Sequence, residues 1–204
     1  SAFNGETGTT GYKSVWNGGE AVKAYVVSKD SYTADFYNVA ASNAAVVEAE
    51  DGATQARFNL SFNSSLSNGA LYIIAAADAS VIDFDGSYYY YDGARPKPKI
   101  TLPTEQTPGD NSVDPKAHIL IYENSDFRTS RSTDIEATFS HYAAYGKLSL
   151  TDFTAEGVTS YVLNINDKTY TINSSKTENA CFACEPAEAE NMIISVNTND
   201  EGAY

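Results

Sequence analysis

The sequence predicts an all-β fold, an antiparallel sandwich with long connecting loops, and three observations point to it. Apolar and polar residues alternate with period two in several short runs. Turn-forming dipeptides punctuate those runs. No segment sustains the 3.6-residue apolar period of a core helix, so no helix longer than about three turns is expected. With 204 residues, 42% of them apolar, the chain can bury a core without staples, and one sandwich domain over residues 1–204 is the expectation.

The strands follow in order. Residues 21–27, 70–77 and 118–122 are short, continuous apolar runs rich in β-formers, and read as strands buried on both faces. Ala56-Arg57-Phe58-Asn59-Leu60-Ser61-Phe62 alternates without error, as a half-buried strand does, and so does Lys147-Leu148-Ser149-Leu150-Thr151. Tyr161, Leu163 and Ile165 alternate in the same way, and Asn166-Asp167 before Tyr170 predicts a tight hairpin. Asp51-Gly52, Asn68-Gly69, Asp85-Gly86 and Asp92-Gly93 read as turns. Residues 38–45 and 185–191 are Ala-rich or polar without an apolar stripe, and read as connections or short helical turns. Residues 103–115 hold three of the six prolines and read as an extended loop crossing between sheets. Residues 192–196 read as a strand and 197–202 as a turn, so the neighbour of that last strand is expected to lie outside the chain. The alternative is that the arm 1–10 covers the open side.

Charge and motif content narrow the function classes. Thirteen basic residues stand against 27 acidic ones, a net charge of −14, and no basic stripe exists to neutralise phosphates, so no nucleic-acid partner is expected. No run approaches the apolar length of a membrane-spanning helix. The chain opens at Ser1 without a basic or apolar leader, and any export signal is expected to have been removed. Cys181 and Cys184 form a Cys-Phe-Ala-Cys pair that lacks the ligands of a zinc site, and read as plain thiols or a local disulfide. The only histidines, His118 and His141, lie in or beside strands and read as structural; with no nucleophile elbow or phosphate loop, no enzymatic activity and no cofactor are expected. Asp83 and Asp85 before Gly86 offer too few oxygens for calcium, so no metal is expected.

The most unusual local feature is Tyr88-Tyr89-Tyr90-Tyr91. Alternate tyrosines of a strand face opposite sides, so two of the four are available for contact with a glycan or a protein. The plainer reading is an edge strand of a hairpin with two tyrosines in the core. A carbohydrate-binding surface module using these four residues is the alternative to the function that follows.

Three ordered pieces carry a family resemblance. They are Val15-Trp16-Asn17-Gly18-Gly19-Glu20-Ala21-Val22; then Ile100-Thr101-Leu102-Pro103-Thr104-Glu105-Gln106-Thr107-Pro108 with Asp114-Pro115-Lys116-Ala117; and the run from Phe139 to Leu150 followed by Val158 to Ile165. Together they resemble the N-terminal domain of the fimbrillin-like proteins, surface lipoproteins and type V pilus subunits of Gram-negative anaerobes. The resemblance implies a transthyretin-like sandwich, export, a lipid anchor at the outer membrane, and a second domain downstream. It implies a non-enzymatic role in cell adhesion or as a fimbrial subunit, with other subunits or surface ligands, glycans among them, as partners. Some members polymerise by donor-strand exchange after cleavage at an N-terminal arginine. The first arginine here is Arg57, so the chain departs from that pattern.

Overall fold

The computed structural model describes residues 2–4, 13–29, 36–62, 68–78, 81–84, 88–90, 95–128, 134–149, 159–176, 178–186 and 194–198. The chain is all-β, and the described residues contain no α-helix. The strands are β1 (Ala2–Asn4), β2 (Lys13–Val15), β3 (Ala21–Lys29), β4 (Phe36–Ala41), β5 (Ala45–Val46) and β6 (Asn68–Ala75). Then come β7 (Ile82–Asp83), β8 (Tyr88–Tyr90), β9 (Lys99–Ile100), β10 (Glu105–Gln106), β11 (Leu120–Arg128) and β12 (Ser140–His141). The last are β13 (Ala144–Leu148), β14 (Tyr161–Ile165), β15 (Lys168–Ile172), β16 (Ala180–Cys184) and β17 (Ile194–Thr198). They form two compact units interleaved in sequence: Trp16–Thr101 with Leu120–Ser140, and Ser1–Val15 with Leu102–Ile119 and His141–Tyr204.

The first of these units is built on an antiparallel sheet in the order β12-β11-β6-β3-β4-β8, with β5 also paired to β3. Its centre is the pair β3 and β6, and burial of both faces explains why these strands are apolar along most of their length. Val22, Ala24 and Val26 join Leu71, Ile73 and Ala75 in one cluster with Trp16, Leu120 and Phe127. Tyr25 and Tyr72 lie against Phe84, with ring centroids 5.3 and 6.4 Å away. Both faces are thus covered, and period two disappears from the hydropathy while persisting in the geometry.

The segment 56–62 corrects the reading as a strand. Its burial alternates as expected, and Ala56, Phe58, Leu60 and Phe62 pack on the cluster. It nevertheless forms only isolated bridges, Glu48 to Arg57 and Ser42 to Phe62. Asn43 takes up part of its backbone instead, its side chain accepting from the Ser61 amide at 2.8 Å. Alternation reports which side faces the core, and a ladder needs a matching neighbour as well.

Two further expectations change. Residues 38–45 contribute to β4 and β5 in place of a plain connection or short helical turn, because Tyr37 and Val39 are buried at alternate positions and β4 pairs with β3. Tertiary pairing outweighs the alanine content. Asn68-Gly69 is no turn and opens β6, where Gly69 lies against the Val27 carbonyl. Asp51-Gly52 does turn, with Gly52 at φ +87°. Asp85-Gly86 and Asp92-Gly93 lie outside the described residues.

The other unit is a small sandwich. A sheet in the order β10-β15-β14-β17 faces the two-stranded sheet β13-β16 across a core of Tyr161, Leu163, Ile165, Tyr170, Ile172, Phe182 and Cys184. The β14–β15 hairpin turns at Asn166 and Asp167, whose φ of +47° and +63° are the paired positive values of a type I′ turn. In the β13–β16 pair Gly146 stands opposite Phe182, whose ring occupies the space where a Cβ would lie. The proline-rich stretch is mostly loop, and it carries β10, the one parallel partner in this sheet.

Asp114 shapes the end of that loop. Its carboxylate accepts from the Thr107 amide at 2.7 Å and from the Lys116 amide at 2.8 Å, capping the 3-10 turn Pro115–Ala117. Asp114→Ala removes both acceptors from a buried position and is expected to lower stability by about 1–2 kcal/mol in urea unfolding.

Candidate functional site: sheet edges and a serine–histidine node

Edge strands carry unused backbone donors and acceptors, so the ends of each sheet are the first places to look for pairing chemistry. In the small sandwich β17 pairs antiparallel with β14, placing Ile194, Val196 and Thr198 opposite Ile165, Leu163 and Tyr161. Among the described residues β17 has no second ladder partner, so it forms the sheet's edge. The strand expected at 192–196 thus falls two residues later, and Met192 lies outside the described residues. The N-terminal arm does not cover this edge among the described residues. Its strand β1 pairs with β2 instead, in the register Ala2 to Val15.

Among the described residues β8 ends the large sheet on the side opposite β12, and it places Tyr88, Tyr89 and Tyr90 opposite Asn38, Tyr37 and Phe36 of β4. The partner is distant in sequence, so the tyrosines are not an arm of a local hairpin with β4. Tyr91 lies outside the described residues.

A second constellation joins residues the sequence keeps far apart. The Ser14 hydroxyl on β2 lies 2.9 Å from His118 Nε2 and 3.1 Å from His141 Nε2. His118 follows the 3-10 turn and is 2% exposed, whereas His141, on β12, keeps an exposed outer side. The two imidazole centroids are 5.5 Å apart, and Tyr145 of β13 packs on both, at 5.7 Å from His118 and 4.9 Å edge-on from His141. Burial holds the His141 pKa below its ordinary value of 6.5. Burial also pushes the Tyr145 phenol well up. The hydroxyl has one proton to donate and two lone pairs to accept with, so it can bridge one bare Nε2 and one Nε2–H, or accept from two Nε2–H groups. Nothing in the sequence pattern announces this node, since Ser14 lies 104 and 127 positions from its partners.

The remaining candidates separate. Cys181 and Cys184 are buried free thiols on β16, and burial raises both pKa values. Cys184 faces the sandwich core while Cys181 packs with Val113 on the opposite side. Three residues of a strand span about 10 Å, beyond a disulfide's Cα separation, so the local bridge left open by the sequence is not formed. Asp83 is exposed on β7, and Asp85 lies outside the described residues. Among the described residues no group of three or more His, Cys, Asp or Glu side chains is placed to hold a metal ion, and no helix is long and apolar enough to cross a membrane. Comparison with known proteins finds no matching family model, no matching curated protein and no matching solved structure.

Proposed function

We propose that the chain is a non-enzymatic cell-surface domain of the fimbrillin-like kind, an adhesion or fimbrial structural subunit acting through strand pairing and surface contacts. The observation that carries this reading is β17, an edge strand with one ladder to β14 and no second ladder partner among the described residues. An added strand gains main-chain hydrogen bonds along such an edge, and specificity comes from the side chains it brings. The three sequence pieces that resemble the fimbrillin-like proteins support the same reading, as does an acidic surface that resists non-specific association. Under it the protein is exported and held at the outer membrane surface by a lipid anchor, with a transthyretin-like sandwich as its frame.

Strand-length peptides covering the protein's own sequence test this directly. At least one apolar, alternating peptide is expected to bind saturably in fluorescence anisotropy and to lose that binding when a central residue becomes proline. The rival readings have their own readouts in the same preparation. Retention on immobilised glycans without peptide binding would favour the tyrosine strand β8 as a sugar platform. Hydrolysis of an activated ester, abolished by Ser14→Ala, would make Ser14 and a histidine a nucleophile–base pair and would overturn the non-enzymatic reading.

A further inference from the structure

We propose that His118 and His141 form a two-imidazole site for a divalent transition-metal ion of the zinc class, seated where their Nε2 atoms converge. Both nitrogens face one oxygen, the Ser14 hydroxyl, at 2.9 and 3.1 Å, so the two rings point at a single small volume. One ion bound by two imidazoles sets the spacing of the rings. With a metal–nitrogen bond of about 2.0–2.1 Å, a ring centre about 1.1–1.2 Å behind the nitrogen and a tetrahedral angle, the centroids lie about 5.2 Å apart. Those of His118 and His141 are 5.5 Å apart. The rings therefore stand close to the coordinated spacing before any ion arrives, and the bridging hydroxyl is the group that turns aside to admit one.

The donor set selects the class of ion. Imidazole nitrogen suits zinc, copper, nickel and iron, whereas magnesium and calcium require oxygen. Each ring binds in its neutral Nδ1–H tautomer, so a ring that carries Nε2–H in the free protein moves that proton to Nδ1. Coordination through Nε2 leaves Nδ1 to donate elsewhere, the arrangement that orients metal-bound histidines. His118 is 2% exposed and fixed by its surroundings, while the exposed outer side of His141 gives the ion a way in. Tyr145 packs on both rings and holds them together. The net charge of −14 draws cations to the protein without choosing among them, and the two nitrogens supply the choice. Among the described residues no third His, Cys, Asp or Glu completes a group with them. The other coordination positions are therefore left to water, which makes the site exchangeable, unlike a closed structural zinc site. It uses none of the residues of β17, on which the proposed function rests.

Zinc titrated into tag-free, metal-stripped protein at about pH 7.5, where an ordinary histidine is neutral, tests the site. One ion is expected to bind saturably in isothermal titration calorimetry. The ring resonances of both histidines are expected to shift together in NMR spectra until one equivalent is reached. Magnesium or calcium in about hundredfold excess is expected to leave zinc binding unchanged. His141→Gln, at the exposed position, is expected to weaken zinc binding at least about tenfold. Cys181→Ala is expected to bind as the wild type does, although Cys181 packs near Tyr145. Absence of saturable one-to-one binding, displacement by magnesium or calcium, or undiminished binding in His141→Gln would each overturn the site. So would a loss in Cys181→Ala as large as that in His141→Gln, because it would place the ion on sulfur. His118 is buried, so its part is read from its own ring resonances in the wild type, and a shift confined to His141 would refute the pair.

Discussion

Gln106→Leu is expected to destabilise the small sandwich by about 3–5 kcal/mol, seen as a lower urea midpoint reported by the Tyr161–Tyr170 core. Gln106 is fully buried. Its Nε2 donates to the Ala183 carbonyl at 2.7 Å and to the Pro103 carbonyl at 3.0 Å, and its Oε1 accepts from the Ala183 amide at 2.9 Å. The side-chain amide thus serves one residue of β16 as a neighbouring strand would. Leucine keeps nearly the same volume, so the loss isolates the hydrogen bonds. Two buried backbone groups of Ala183 and one of Pro103 would be left without their present partner, each worth about 1–3 kcal/mol when unsatisfied. A loss below about 1 kcal/mol would show that water or a shifted strand replaces the amide.

Gly69→Ala is expected to lower the stability of the larger unit by about 3 kcal/mol or more, although it adds a single methyl group. A Cβ at this position would lie 2.2 Å from the Val27 carbonyl oxygen and 2.8 Å from its carbon. Those atoms belong to the central strand β3, whose ladder to β6 aligns Val27 with Ala70. Backbone in mid-sheet cannot rotate away as a side chain can, so the strands must part or bend. Gly52→Ala is the control: its φ of +87° disfavours alanine, but nothing lies within 4 Å of the added atom. A loss of about 1 kcal/mol is expected there, from backbone strain alone. Equal urea midpoints for the two variants would contradict the close approach at Gly69.

The two variants also mark what the sequence can and cannot disclose. β14 is legible because burial of alternate side chains writes itself into local hydropathy, and β3 and β6 are legible because burial on both faces leaves a short continuous apolar run. The Asn166-Asp167 turn is legible because few residues tolerate two successive positive φ values. Gly69 misleads because the same residue type serves a turn and a close backbone approach, and only the position of Val27 distinguishes them. Gln106 and Ser14 are silent for a related reason: Ala183, His118 and His141 lie 77 or more positions from them, and a polar residue in a loop or short strand has no pattern to join. Segment 56–62 shows the converse, in which a faultless alternation fixes the buried face and leaves the ladder undetermined.

The central claim, that β17 offers an open edge for strand pairing, is tested most directly by residue-resolved hydrogen exchange across Ile194–Thr198. In an antiparallel pair, successive amides point alternately toward and away from the partner. With β14 as its one partner, β17 is expected to show alternating protection, every second amide exchanging nearly as fast as in unstructured chain. The inner strand β14, flanked by β15 and β17, is expected to be protected throughout. Addition of a binding peptide should then slow the fast amides of β17 and leave the slow ones unchanged. Uniform protection of all five amides in the isolated protein would mean that the edge is already paired, and would contradict the account.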